Sequence, residues 1–187
     1  MLLESFTMKM LSLKMTAAAL ITALLSTNVY AMDKDNNEYL KSSIKSAAAH
    51  GRLEVFNELL QEARNCRTFS QELLNEALRG AVIGHWLYLT ADQGTLEQIH
   101  NVINQLLNMN NNGPDQKAVD SAFGDAIRSS ANQDSGGLSL LQTILLDRTT
   151  NQLRTGLRPS NETIQYLRNS SYFTDPTITN FLRSLNL

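Results

Sequence analysis

The chain has one cysteine, three prolines and few aromatic residues, and each shortage excludes something. A lone Cys66 has no partner for an internal disulfide, so the fold must be held by packing. Aromatics make up only 6%, and the alternation of apolar and polar residues that marks half-buried strands is hard to find. The formal net charge is −2, without the clustered Lys and Arg that displace counterions from nucleic acid, so no nucleic-acid partner is expected. No Gly-Lys-Ser/Thr phosphate loop, Gly-x-Ser-x-Gly elbow or His-Glu-x-x-His occurs. The three histidines, His50, His85 and His100, are not spaced as metal ligands, and Cys66 is far from all of them in sequence. They are read as structural or solvent-facing. No catalytic residue, cofactor site or metal site is expected, and the chain reads as a non-enzyme.

What is present is helical. Leu, Ala, Asn and Gln dominate, and apolar residues recur every three to four positions, an all-α signature. The amino terminus differs from the rest. Lys9 and Lys14 precede the uncharged run Met15–Leu25, followed by Ser26-Thr-Asn-Val-Tyr-Ala31, with Val29 and Ala31 as small residues at −3 and −1. That order predicts a secretory signal peptide over 1–31, with Met1 or Met8 as its start. The apolar run is about half the roughly 20 residues a membrane span needs, so no stable membrane insertion is expected once it is removed. No cysteine follows it, which argues against a bacterial lipoprotein. A polar linker over 32–43 would then lead into a domain over 44–187, placed in the periplasm or secreted.

Within that domain the sequence repeats. Ile44-Lys-Ser-Ala-Ala-Ala-His-Gly-Arg-Leu-Glu-Val-Phe-Asn-Glu-Leu-Leu60 returns as Leu87-Tyr-Leu-Thr-Ala-Asp-Gln-Gly-Thr-Leu-Glu-Gln-Ile-His-Asn-Val-Ile103, with Gly51 and Gly94 43 positions apart. Each glycine is expected to close one helix before the next begins, since glycine adopts positive φ freely. The small pairs Ala47-Ala48 and Thr90-Ala91 before them allow close helix approach. After them Leu53/Leu96, Phe56/Ile99, Leu59/Val102 and Leu60/Ile103 form one apolar stripe, with Glu54 and Glu97 in the first turn. Gly136 marks a looser third copy with Leu138, Leu141, Ile144 and Leu145. A fourth starts at Asp175-Pro176 and carries Ile178, Phe181, Leu182 and Leu185. A second element recurs between these hairpins. Leu74/Val119, Ala77/Ala122, Leu78/Phe123, Ala81/Ala126 and Val82/Ile127 share a face, and Ser70, Asp115 and Ser160 are N-caps spaced by 45.

The stretch Leu-x-Leu-x-Ala-x-x-Gly-x-Leu-Glu-x-Ile at Leu87–Ile99, with Ile44–Leu60, resembles the core of an ankyrin repeat. Ser70–Leu78 is similar to the divergent ankyrin-like repeats common in intracellular bacteria. The Thr-Pro-Leu-His opening of a standard unit is missing, and the period of about 42–45 exceeds the roughly 33 of that family. The resemblance implies a short α-solenoid of helix-turn-helix units, with loops or lengthened helices in place of the family's β-hairpin fingers. It also implies a monomer that binds another protein, a host protein being one candidate. His50, Arg52, Gln93 and Thr95 are the candidate contact residues. The alternative from another class is a periplasmic helical bundle holding a small apolar ligand.

Trp86 and Tyr88 are expected in the core, and Cys66 at a helix end. Asn161-Glu-Thr and Asn169-Ser-Ser would be glycosylation acceptors only in a eukaryotic host.

Overall fold

A computed structural model describes residues 37–109, 112–130, 136–169 and 175–187. The expected signal peptide over 1–31 lies outside the described residues. Contacts divide the chain into two units, Met1–Tyr39 and Leu40–Leu187, and the helical core belongs to the second.

The described residues form eight helices and no extended strand. Helix α1 covers 37–49, followed by α2 (Leu53–Asn65), α3 (Gln71–Tyr88), α4 (Gln93–Leu107), α5 (Gln116–Ser130), α6 (Gly136–Leu145), α7 (Asn161–Arg168) and α8 (Pro176–Ser184). The all-α expectation is met. Of the linker expected over 32–43, residues 37–43 already belong to helix α1, and 32–36 lie outside the described residues. Leu40 is buried beside Ile44 in the core, and Lys41 reaches Glu72 at 2.9 Å. The polar letters around Leu40 hid a one-turn apolar spacing.

The caps explain where the helices start. Ser70 Oγ accepts from Leu73 N–H at 3.2 Å, Asp115 Oδ1 from Ala118 N–H at 2.7 Å, and Ser160 Oγ from Thr163 N–H at 3.1 Å. All three expected N-caps are therefore in place. Asp175 caps α8, whose first residue is Pro176, as expected.

The two echoed glycines behave differently. Gly51 has φ +60, and the N–H groups of Gly51 and Arg52 bond to Ala48 O and Ala47 O, the paired bonds that close a helix at a left-handed residue. Gly94 is not left-handed. It sits inside the first turn of α4, where Asp92 Oδ1 accepts from Gly94 N–H at 3.0 Å and Thr95 N–H at 3.3 Å. The expectation that Gly94 closes a helix is thus corrected: the Asp92 cap opens α4 two residues before Gly94, whereas α2 begins two residues after Gly51. Glu97 consequently falls beyond the first turn. Gly136, which marks the third copy, is buried at the start of α6.

Neighbouring helices pack α3 on α4 and α5 on α6. Odd-numbered helices also touch odd ones (α3–α5, α5–α7), and even touch even (α2–α4, α4–α6). One core runs from Leu40 to Leu182 and contains the predicted stripes almost entire. Helix α3 lies at its centre, so it buries Leu73, Gly80, Gly84 and His85 as well as the predicted face.

The connection after α6 holds one isolated antiparallel bridge, Leu146 with Leu153. It is closed by a bond from Asp147 N–H to Gln152 O at 2.8 Å.

Candidate functional site

Between α3 and α5 runs a cleft of about 350 Å³. Its floor is Leu78, Val82, Ala118 and Ala122, and small residues of α5 leave it open. The walls are charged: Glu72, Glu76 and Arg79 on α3, with Asp115, Lys117 and Asp125 on the α5 side. Most of those charges are neutralised within the chain. Glu76 pairs with Lys45 at 2.7 Å and Arg79 at 3.0 Å, Glu72 with Lys41, and Asp125 with Arg128. The Lys45 hydrogen bond, against a smaller effect of burial, holds the Glu76 carboxyl below its ordinary pKa. At the rim Ile83 is 44% exposed. Chemically the cleft offers an apolar floor between walls whose charges are mostly paired within the chain.

The cleft ends on a lock that the sequence did not reveal. Asn75 Oδ1 accepts from Asp115 N–H at 2.9 Å, and Asn75 Nδ2 donates to Asp115 Oδ2 at 2.8 Å. One unit later Asp120 Oδ1 accepts from Ser160 N–H at 2.7 Å, and Ser160 Oγ donates to Asp120 Oδ2 at 2.8 Å. In each case the residue five beyond one N-cap grips the N-cap of the next odd-numbered helix. Burial raises the Asp120 pKa, but the donors from Ser160, Gln116 and Thr163 outweigh it and leave the carboxyl below its ordinary value.

Of the four predicted contact residues, His50 and Arg52 lie on the α1–α2 turn, and Gln93 and Thr95 in the first turn of α4. His50 is exposed, with Nδ1 2.8 Å from Ser46 O and its ring edge-on to Tyr88. Arg52 and Gln93 are exposed, and Gln93 Nε2 donates to Leu89 O at 3.0 Å. Thr95 Oγ1 donates to Asp92 Oδ2 at 2.6 Å. The two turns are adjacent, for a Cβ on Gly51 would stand 2.8 Å from Thr95 O. Three of the four side chains thus serve local hydrogen bonds, and Arg52 makes no side-chain cap bond to α2. Trp86 and Tyr88 are half-buried against the core, and Cys66 is exposed at the end of α2.

Two buried polar groups carry no signature in the sequence. His85 is fully buried, and its Nδ1 lies 2.9 Å from His100 Nε2. Burial first, then His85 and Arg148, pull the His100 pKa down to about 4. Periodicity put His85 on no apolar stripe, and 15 residues separate the two rings in the chain, so no local spacing could pair them.

The second is Arg154. Its Nε donates to Ile144 O at 3.2 Å and its Nη2 to Thr143 O at 3.2 Å and Asn104 Oδ1 at 2.6 Å, while Nη1 reaches Asn108 Oδ1. A cation there answers the negative ends of α4 and α6 at once. Burial pushes its pKa down, and Asp147 opposes that. Arg154 therefore fastens the connection after α6, with its guanidinium engaged by the chain itself.

Among the described residues no three His, Cys, Asp or Glu side chains gather as a metal site, and no helix is long and apolar enough to cross a membrane. Comparison with protein-family models, with curated proteins and with solved structures finds no match in any of the three.

Proposed function

We propose that the chain is an exported, non-enzymatic helical-repeat module, a short α-solenoid that binds a segment of another protein along the α3–α5 cleft. The observation that carries this reading is the cleft itself, with its apolar floor, mostly paired walls and exposed Ile83. Walls mostly neutralised by Lys41, Lys45, Arg79 and Arg128 ask little counter-charge of a partner, so apolar contact supplies most of the affinity. The solenoid reading draws support from the odd-to-odd and even-to-even packing and from the recurring cap lock. Export rests on the segment 1–31. The turn residues His50, Arg52, Gln93 and Thr95 form a second candidate surface. The α3–α5 cleft and two further clefts all mix polar and apolar linings, which gives the apolar-ligand alternative no specific support.

A photo-crosslinking side chain placed at Ser121, at Arg52 or at Gln61 in the full chain tests the choice. A discrete protein adduct from Ser121, absent from Gln61 on α2, is the expected outcome. An adduct from Arg52 alone would move the surface to the turns. Equal labelling at all three positions, or none, would overturn the reading.

A further inference from the structure

His85, His100 and the first carbonyl of α6 form a chain of hydrogen bonds through the middle of the fold. His85 Nδ1 is 2.9 Å from His100 Nε2, and His85 Nε2 is 3.0 Å from Gly136 O. The two imidazoles are stacked, with centroids 5.1 Å apart, and the edge of Trp86 closes on His85 at 4.7 Å. A carbonyl oxygen only accepts, so His85 Nε2 carries the hydrogen toward Gly136. In a neutral ring Nδ1 is then a lone pair, and it accepts the Nε2–H of His100. With both rings neutral, each is the Nε2–H tautomer.

That arrangement has room for few protons. The first can enter at His100 Nδ1 without breaking a hydrogen bond, but it places a charge in a half-buried, already cationic setting. A second would put an N–H on His85 Nδ1, donor facing donor at 2.9 Å, between two stacked cations. The charged groups facing the pair make matters worse. Arg148, from the connection after α6, adds positive charge at His100, and it is paired with Glu97 on α4 at 3.0 Å. Helix α6 carries no titratable side chain. On α1 and α3 the charges of Lys41, Lys45, Glu72, Glu76 and Arg79 are paired with one another, as are Asp125 and Arg128 on α5. Asp134, two positions before Gly136, lies outside the described residues.

We propose that the His85–His100–Gly136 chain is an acid-released latch, which holds the start of α6 to α3 and α4 at neutral pH and lets it go as the surroundings acidify. Gly136 is built into the same contact, since a Cβ there would lie 2.3 Å from Leu89 Cδ2 and 3.0 Å from Trp86 Cζ3. The direction follows from proton counting. His100 titrates lower folded than unfolded, so the unfolded or opened state takes up more protons between about pH 6.5 and about 4. Stability is full above that window and falls as pH drops through it.

Histidine NMR titration and thermal melting of the full chain test the latch, with His100→Gln as the comparison. The Gln amide can still donate to His85 Nδ1 but does not titrate. The wild type is expected to melt about 5 °C lower at pH 5 than at pH 7, and His100→Gln to lose less than half of that. Amide exchange, corrected for intrinsic pH dependence, should open first at α6 and the end of α3. Parallel losses in both proteins would overturn the latch. If the variant fails to fold, the wild-type titration decides alone: a His100 midpoint near 6.5 overturns the proposal, and one near 4 sustains it.

Discussion

The α1–α3 and α5–α7 junctions join odd-numbered helices by different close contacts, although α1 and α3 also share the Lys41–Glu72 and Lys45–Glu76 ion pairs. At the first, Gly80 and Gly84 of α3 press directly on the backbone of α1. A Cβ would lie 2.3 Å from Lys45 O and 2.0 Å from Ala49 O. At the second, Asp120 of α5 reaches across to the backbone and hydroxyl of Ser160 at the head of α7. The backbone contact works by the absence of side chains and has no slack. The carboxylate contact works by charge-assisted hydrogen bonds, which water can partly replace.

The largest effect should come from removing that lack of slack. In Gly84→Ala the new methyl meets a main-chain carbonyl that cannot rotate away, so α1 must move off a face lined by Ala47, Ala48, Ala77 and Ala81. Alanine improves helix propensity by about 1 kcal/mol, yet a net loss of about 3 kcal/mol is expected. Thermal melting would show it as a midpoint lower by about 10 °C. A neutral result would mean that α1 and α3 do not touch at these glycines.

The second junction should break more gently. Asp120→Ala strands the Ser160 N–H and hydroxyl at a cost of about 2 kcal/mol. Asp120→Asn should recover more than half, because Asn75 fills the same role at the first lock, toward Asp115. The two variants also separate by pH. Asp120 titrates below its ordinary value, so its contribution is present above about pH 4 and lost as pH falls further. Denaturant midpoints of the Asn variant should lack that acid limb. If Asn is no better than Ala, the lock does not hold α7.

This contrast also separates what the sequence discloses from what it hides. The caps Ser70, Asp115 and Ser160 are readable because a cap bonds within three residues of itself, so its signal is local. The stripes Leu74–Val82 and Val119–Ile127 are readable because burial on one face leaves a 3.6-residue period. The partners of those caps, Asn75 and Asp120, look like ordinary polar helix residues until a helix 40 positions away is brought beside them. Gly80 and Gly84 are silent for a different reason: a missing side chain leaves no periodic mark. His85 and Arg154 contradict the rule that polar letters face water, and only the assembled fold supplies their partners. The candidate cleft is equally invisible, because it is a gap between two helices rather than a property of either.

The smallest effect sharpens the comparison most, for it concerns the two glycines the sequence aligned. Gly51 is left-handed, and a Cβ there would stand 2.8 Å from Thr95 O, so Gly51→Ala should cost about 1–2 kcal/mol. Gly94 has ordinary helical backbone, and a Cβ would meet only Asp92 Oδ1, at 3.3 Å. Alanine is the better helix former there, and the mild crowding of the cap offsets it, so Gly94→Ala should lie within about 0.5 kcal/mol of the wild type. Paired denaturant titrations read this directly. Equal costs would mean that both turns are closed by a left-handed glycine, as the sequence echo implied. Unequal costs would mean that Asp92 has taken over the punctuation of the second turn, leaving Gly94 as the aligned letter without the aligned task.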